Sequence, residues 1–189
     1  MQATRGTSLS SEASSDDAVV AGAASTTTSA RRLFVVVALA AYAVDLSTKV
    51  LAVAHLTPGE PVSVVGSLLQ LDLVRNPGAA FSTGTSYTAL LSLIALVAAG
   101  VVLRFGRRLG DPVWAVALGL LLAGVLGNLT DRVFRSPGVL RGHVVDFLEL
   151  PHWPVFNVAD MLIDVAVVLI IVQTWRGIGL SGRRPDAAS

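Results

Sequence analysis

Four apolar runs dominate this 189-residue chain: about Leu33 to Ala54, Tyr87 to Leu103, Val113 to Leu129 and Val155 to Trp175. A helix needs about 20 residues to cross ~30 Å of hydrocarbon, and each run is near that length. Within lipid, every backbone polar group must find its partner inside the segment, so such runs fold as helices. Only 14% of the residues are charged, against ~25% in a soluble domain. The expected class is an all-α membrane protein with four transmembrane helices. Asp45 and Lys49 inside the first run oppose reading it as a cleavable signal core, despite Ala52-Val53-Ala54 at its end.

Basic residues set the expected orientation. With the N-terminus inside, nine of the fourteen Lys and Arg residues fall on the inner side and five on the outer. Both termini are then cytoplasmic. Residues 1–30, rich in Ser, Thr, Ala and Gly, read as a disordered tail, 31–176 as the membrane domain and 177–189 as a second tail. The polar loops, about 55–86 and 132–154, lie outside. In the first of them, Val62-Ser63-Val64-Val65 and Leu69 to Val74 alternate as short strands do, between turns at Pro58-Gly59 and Gly66-Ser67. A small extracytoplasmic β-rich element is expected there.

Composition removes several functions. A net charge of +1 provides no basic stripe for nucleic acid. The chain has no cysteine, which removes a disulfide framework, a thiol nucleophile, Cys-ligated zinc and a lipid-modified cysteine of its own. His-Glu-x-x-His, Gly-x-x-x-x-Gly-Lys and Gly-x-Ser-x-Gly are absent. No metal or cofactor is expected.

Two aspartates remain, Asp146 in Val144-Val145-Asp146-Phe147 and Asp160 in Phe156-Asn157-Val158-Ala159-Asp160. Pro151-His152-Trp153-Pro154 between them is too proline-rich for helix, so the chain can fold back and bring the carboxylates together. Two close carboxylates cannot both ionise cheaply, and one keeps its proton. The ionised member can then activate water while the other protonates a carbonyl oxygen. The same residues also admit a plain structural reading. Asp146 would cap a helix or pair with His143 or Arg141, and Asp160 would be a helix-start acid favoured by the dipole. Asp45 and Lys49, spaced i, i+4, suit an ion pair within the first helix. Asn128 and Asp131-Arg132 end the third helix, with Arg132 pairing with Asp131 or pointing to a bound anionic or carbonyl group.

Taken in order, these segments resemble the lipoprotein signal peptidases, or type II signal peptidases, of bacteria. The motifs are Asp45-x-x-Thr48-Lys49, Asn76-x-Gly78-Ala79-Ala80-Phe81, Gly127-Asn128-x-x-Asp131-Arg132, Val144-Val145-Asp146-Phe147 and Phe156-Asn157-x-Ala159-Asp160. The resemblance implies an aspartic endopeptidase at the outer face of the cytoplasmic membrane. It would cleave prolipoproteins just before a cysteine that already carries diacylglycerol. Asp146 and Asp160 would be the catalytic dyad, with Asn76, Asn128, Arg132 and Asn157 lining the pocket and Asp45 and Lys49 in support. Contact with membrane lipids and inhibition by the cyclic peptide globomycin are also implied. Pro77 stands where threonine is often found, and the dyad spacing of fourteen residues is short for the family.

Rival readings make other demands. A proton-coupled carrier needs acids buried mid-span and a repeat between halves. A non-catalytic subunit would tolerate Asp146→Asn. Presenilin-like or prepilin peptidases carry Gly-x-Gly-Asp, which is absent.

Overall fold

A computed structural model describes residues 9–78 and 88–182, with side chains from residue 27 onward. The elements are α1 (Leu9–His55), β1 (Val62–Val65), β2 (Leu69–Asn76), α2 (Thr88–Gly106), α3 (Pro112–Phe134), β3 (Val144–Glu149) and α4 (Val158–Trp175). Four stretches are long and apolar enough to cross a membrane: Thr27–His55, Thr88–Gly106, Pro112–Phe134 and Val158–Trp175.

Helix α3 is the hub, packing against α1, α2 and α4. Its Leu118 and Leu122 join Phe34 and Ala38 of α1 and Ala99 and Val102 of α2 in the main core. The outward faces are apolar as well: Val36 and Leu39 of α1, Leu93 and Val97 of α2, and Val168 and Ile171 of α4 are all exposed. A water-soluble bundle would hide such a surface, whereas in lipid it is the solvated one.

Small residues bring the helices close. A Cβ added to Gly127 of α3 would collide with the Asp45 carboxylate of α1 and lie 3.3 Å from Ala159 of α4. Only a glycine permits that three-way approach.

At the end of the bundle where α1 stops and α2 begins, β1, β2 and β3 form an antiparallel sheet in that order. A second apolar cluster, Ala52, Leu73, Val145 and Phe147, joins the sheet to α1.

Several boundaries differ from the sequence reading. Helix α1 starts at Leu9, where disorder to residue 30 was expected. The segment is alanine-rich and lacks proline, which favours helix. Residues 132–134 continue α3 instead of opening a loop, and Val155 to Asn157 precede α4 instead of starting it. Strand β3 was not expected at all. Its first four residues are all buried, so the two-residue alternation that marks a half-buried strand is missing. Ala79 to Phe81 of the second motif lie outside the described residues.

Candidate active site

Asp146 occupies the middle of β3 and is only 2% exposed. Backbone bonds from Phe147 and Leu148 to Phe156 O, and from Phe156 to Leu148 O, close the proline-containing turn that follows β3. The chain therefore folds back as the sequence suggests. Asn157 arrives beside Asp146 and begins α4.

Asn157 is the N-cap of that helix. Its Oδ1 accepts from Asp160 N at 3.2 Å, and its backbone N donates to Asp160 Oδ2 at 3.1 Å. This reciprocal capping box satisfies helix donors that would otherwise be orphaned. It leaves the Asn157 amide nitrogen free for Asp146 Oδ1, at 2.5 Å, and Asn128 Oδ1, at 3.2 Å. One buried asparagine thus holds both carboxylates.

Each carboxylate has a second amide donor. Asn76 ends β2, and its Oδ1 accepts from Gly78 N at 2.8 Å, a turn that aims its Nδ2 at Asp146 Oδ2, 2.7 Å away. Gly78 has φ +98°, and a Cβ there would meet Leu91 at 2.6 Å. Asn128, on α3, donates to Asp160 Oδ1 at 2.8 Å.

The orientation of Asn128 is set from below. Lys49 of α1 is fully buried, and its Nζ donates to Asn128 Oδ1 at 2.9 Å. An ammonium can only donate, so the Asn128 carbonyl must face Lys49 and its NH₂ must face Asp160. Lys49 also pairs with Asp45 at 3.0 Å and Asp131 at 3.4 Å. The i, i+4 pair expected in α1 is therefore present. Asp45 additionally accepts from Ala159 N at 2.8 Å, pinning the start of α4 to α1.

Arg132 does not pair with Asp131, one of the two partners that the sequence left open. Asp131 instead binds Lys49 and Arg135, and its Oδ2 accepts from Val145 N at 3.0 Å, next to Asp146. This link between α3 and β3 went unread, although the i, i+4 spacing of Asp131 and Arg135 was visible. Arg132 turns toward Gly78, 3.6 Å from where a Cβ would be, within the field of Asp146 and Asp160. Its Nη1 is buried and unbonded among the described residues, a donor available to a guest.

Burial pushes the Asp146 carboxyl up to about 6. The Asn76 and Asn157 amides and the Lys49 charge pull it down, and the nearby Asp160 charge raises it further. Asp160 is half-buried, so the cluster is open to water at that member. The geometry brings Asn76, Asn128, Arg132, Asp146, Asn157 and Asp160 to one place, with Asp45 and Lys49 beneath. A water near this cluster would have a carboxylate to take its proton and a second carboxyl to supply one.

The chain is similar to known proteins. A lipoprotein signal peptidase of Rhodococcus jostii (strain RHA1) is 52% identical over 149 residues, 79% of this chain and 75% of that protein. One from Mycobacterium avium (strain 104) is 50% identical over 153 residues, 80% of this chain and 84% of the relative. A solved bacterial membrane enzyme, determined by the in meso method at 1.9 Å, superposes with TM-score 0.67 at 28% identity, covering 75% of this chain and 91% of that one. A sequence profile described as signal peptidase (SPase) II matches residues 37–176. The chain belongs to the signal peptidase II family, membrane proteases that cleave the signal peptides of lipoproteins.

Proposed function

We propose that the chain is an aspartic endopeptidase in which Asp146 and Asp160 share one proton and hydrolyse the peptide bond before a diacylglyceryl-modified cysteine. The observation that carries this reading is Asn157, which bonds both carboxylates at once. The nearby Asp160 charge adds to burial in raising the Asp146 carboxyl, which favours a proton kept at this site.

In the reaction, the ionised member takes a proton from the attacking water while the protonated member donates to the carbonyl oxygen. The tetrahedral intermediate then collapses as the new amine takes a proton from the dyad. Asn76 and Asn128 keep the two carboxylates in place through 2.7 Å and 2.8 Å bonds. Each carboxylate oxygen keeps a second lone pair for water or substrate. Arg132 directs its unbonded Nη1 to a backbone carbonyl of the substrate. Acyl chains anchored in the bilayer supply remote binding energy that positions the scissile bond.

The site lies at the extracytoplasmic face of the bacterial cytoplasmic membrane, with both termini inside, in keeping with nine basic residues against five. Globomycin blocks the site as a substrate mimic. A gel-shift assay with purified protein and a prolipoprotein, with and without its diacylglyceryl group, tests the reading. Cleavage that requires the lipid and stops with globomycin supports it. Equal cleavage of the unlipidated precursor overturns the substrate assignment.

A further inference from the structure

A second cavity, about 590 Å³, opens beside the sheet and is lined by Arg75, Phe134, Arg135, Ser136, Pro137 and His143. That volume is in the ~300–1,000 Å³ range of ordinary ligand sites. None of the residues assigned to peptide hydrolysis lines it. Two guanidiniums, an imidazole and a hydroxyl surround the space, and no acid does.

The two arginines are held differently. Arg135 bonds through Nε to Asp131, which fixes its guanidinium in the cavity wall. Arg75 is exposed on β2 and has no ion-pair partner among the described residues. Such an unpaired guanidinium suits a phosphate, to which it can offer two parallel N–H donors.

Location narrows the ligand. Phe134 is the last residue of the α3 span and is 81% exposed. The last residue of a span lies near the boundary between hydrocarbon and head groups. The cavity therefore adjoins the end of a span, with Phe134 and Pro137 as apolar lining beside Arg75, Arg135 and His143.

We propose that this cavity binds the phosphodiester head group of an anionic phospholipid. The lipid would neutralise Arg75 and place its glycerol backbone against Phe134. Arg75 adjoins Asn76 on β2 and faces Val145 of β3 across the ladder, so the bound lipid would brace the two strands that carry the Asp146 site.

Native mass spectrometry of the purified full chain, titrated with dioleoyl phosphatidylglycerol or the matching phosphatidylcholine, tests this without any peptide substrate. A failure here leaves the peptidase reading untouched. The expected result is one retained phosphatidylglycerol, bound about tenfold more tightly than phosphatidylcholine. Arg75→Gln, an exposed change that spares the fold, should erase that preference, and Arg108→Gln at the other end of the bundle should keep it. Equal retention of the two lipids, or an unchanged preference in Arg75→Gln, overturns the proposal. Displacement by inorganic phosphate or glycerophosphoglycerol at the lipid's own concentrations also overturns it, since the ligand would then be a free anion.

Discussion

Asn157 reaches Asp146 Oδ1 with its side-chain amide nitrogen at 2.5 Å, while its Oδ1, accepting from Asp160 N at 3.2 Å, caps the helix that carries Asp160. A residue that starts a helix therefore also couples two acids. The donors around Asp146 favour its ionised form, and burial opposes them. The balance leaves Asp146 near 6, and loss of the shared proton at that point should end activity. We predict that kcat/KM falls about tenfold per pH unit above pH ~6. Asn76→Ala removes a donor that stabilises the carboxylate, so the falling limb should move to higher pH. A pH profile of the two proteins in the same detergent checks this, and an unmoved limb would contradict it.

Arg132 makes a separable prediction. Its Nη1 is buried and unbonded among the described residues, so its removal should be felt by substrate more than by the fold. Arg132→Ala is expected to raise KM by roughly tenfold, the scale of one charge-assisted hydrogen bond of ~1.5 kcal/mol. Its thermal midpoint should stay near that of the parent. Steady-state kinetics with a thermal melt on the same sample reads both.

Lys49 should behave in the opposite way. It bonds Asp45, Asp131 and Asn128 from a fully buried position. Lys49→Met leaves the buried Asp45 without its cation, takes one of two cations from Asp131 and frees the Asn128 amide to flip away from Asp160. Breaking a buried pair in this manner costs about 3–5 kcal/mol. We expect poor accumulation in the membrane and a lower melting temperature, both measurable by fluorescence size-exclusion chromatography after heating.

Gly127→Ala probes the packing beneath the site. The new methyl would overlap the Asp45 carboxylate and press on Ala159, forcing α1, α3 and α4 apart. Overpacking of this kind costs about 1–3 kcal/mol. A lowered melting temperature is expected, with activity reduced because Asp45 can no longer hold Ala159 N. Gly100→Ala, in α2 with open space around it, is the control and should change neither.

Much of this was legible in the chain. Four apolar runs give four spans because lipid leaves the backbone no other choice. The strands at Val62 and Leu69 announced themselves by alternation and turns. Strand β3 did not, because Val144, Val145, Asp146 and Phe147 are all buried and show no polar face. Asp45 and Lys49 could be paired from spacing alone. The role of Asp131 could not, because its contact with Val145 N spans fourteen residues and depends on how the Gly142 turn returns. Nor could the double duty of Asn157, since a capping asparagine looks the same in sequence whether or not a second acid lies beside it.

The central claim is that Asp146 and Asp160 act as one unit, and single-turnover cleavage of a diacylglyceryl-modified prolipoprotein by Asp146→Asn, Asp160→Asn and the double variant tests it most directly. Residues acting as a unit give non-additive losses. Each single variant should fall by at least ~10³-fold, keep the parent's melting temperature, and lose no more when the two are combined. A single variant within tenfold of the parent, or losses that multiply in the double, would contradict the dyad.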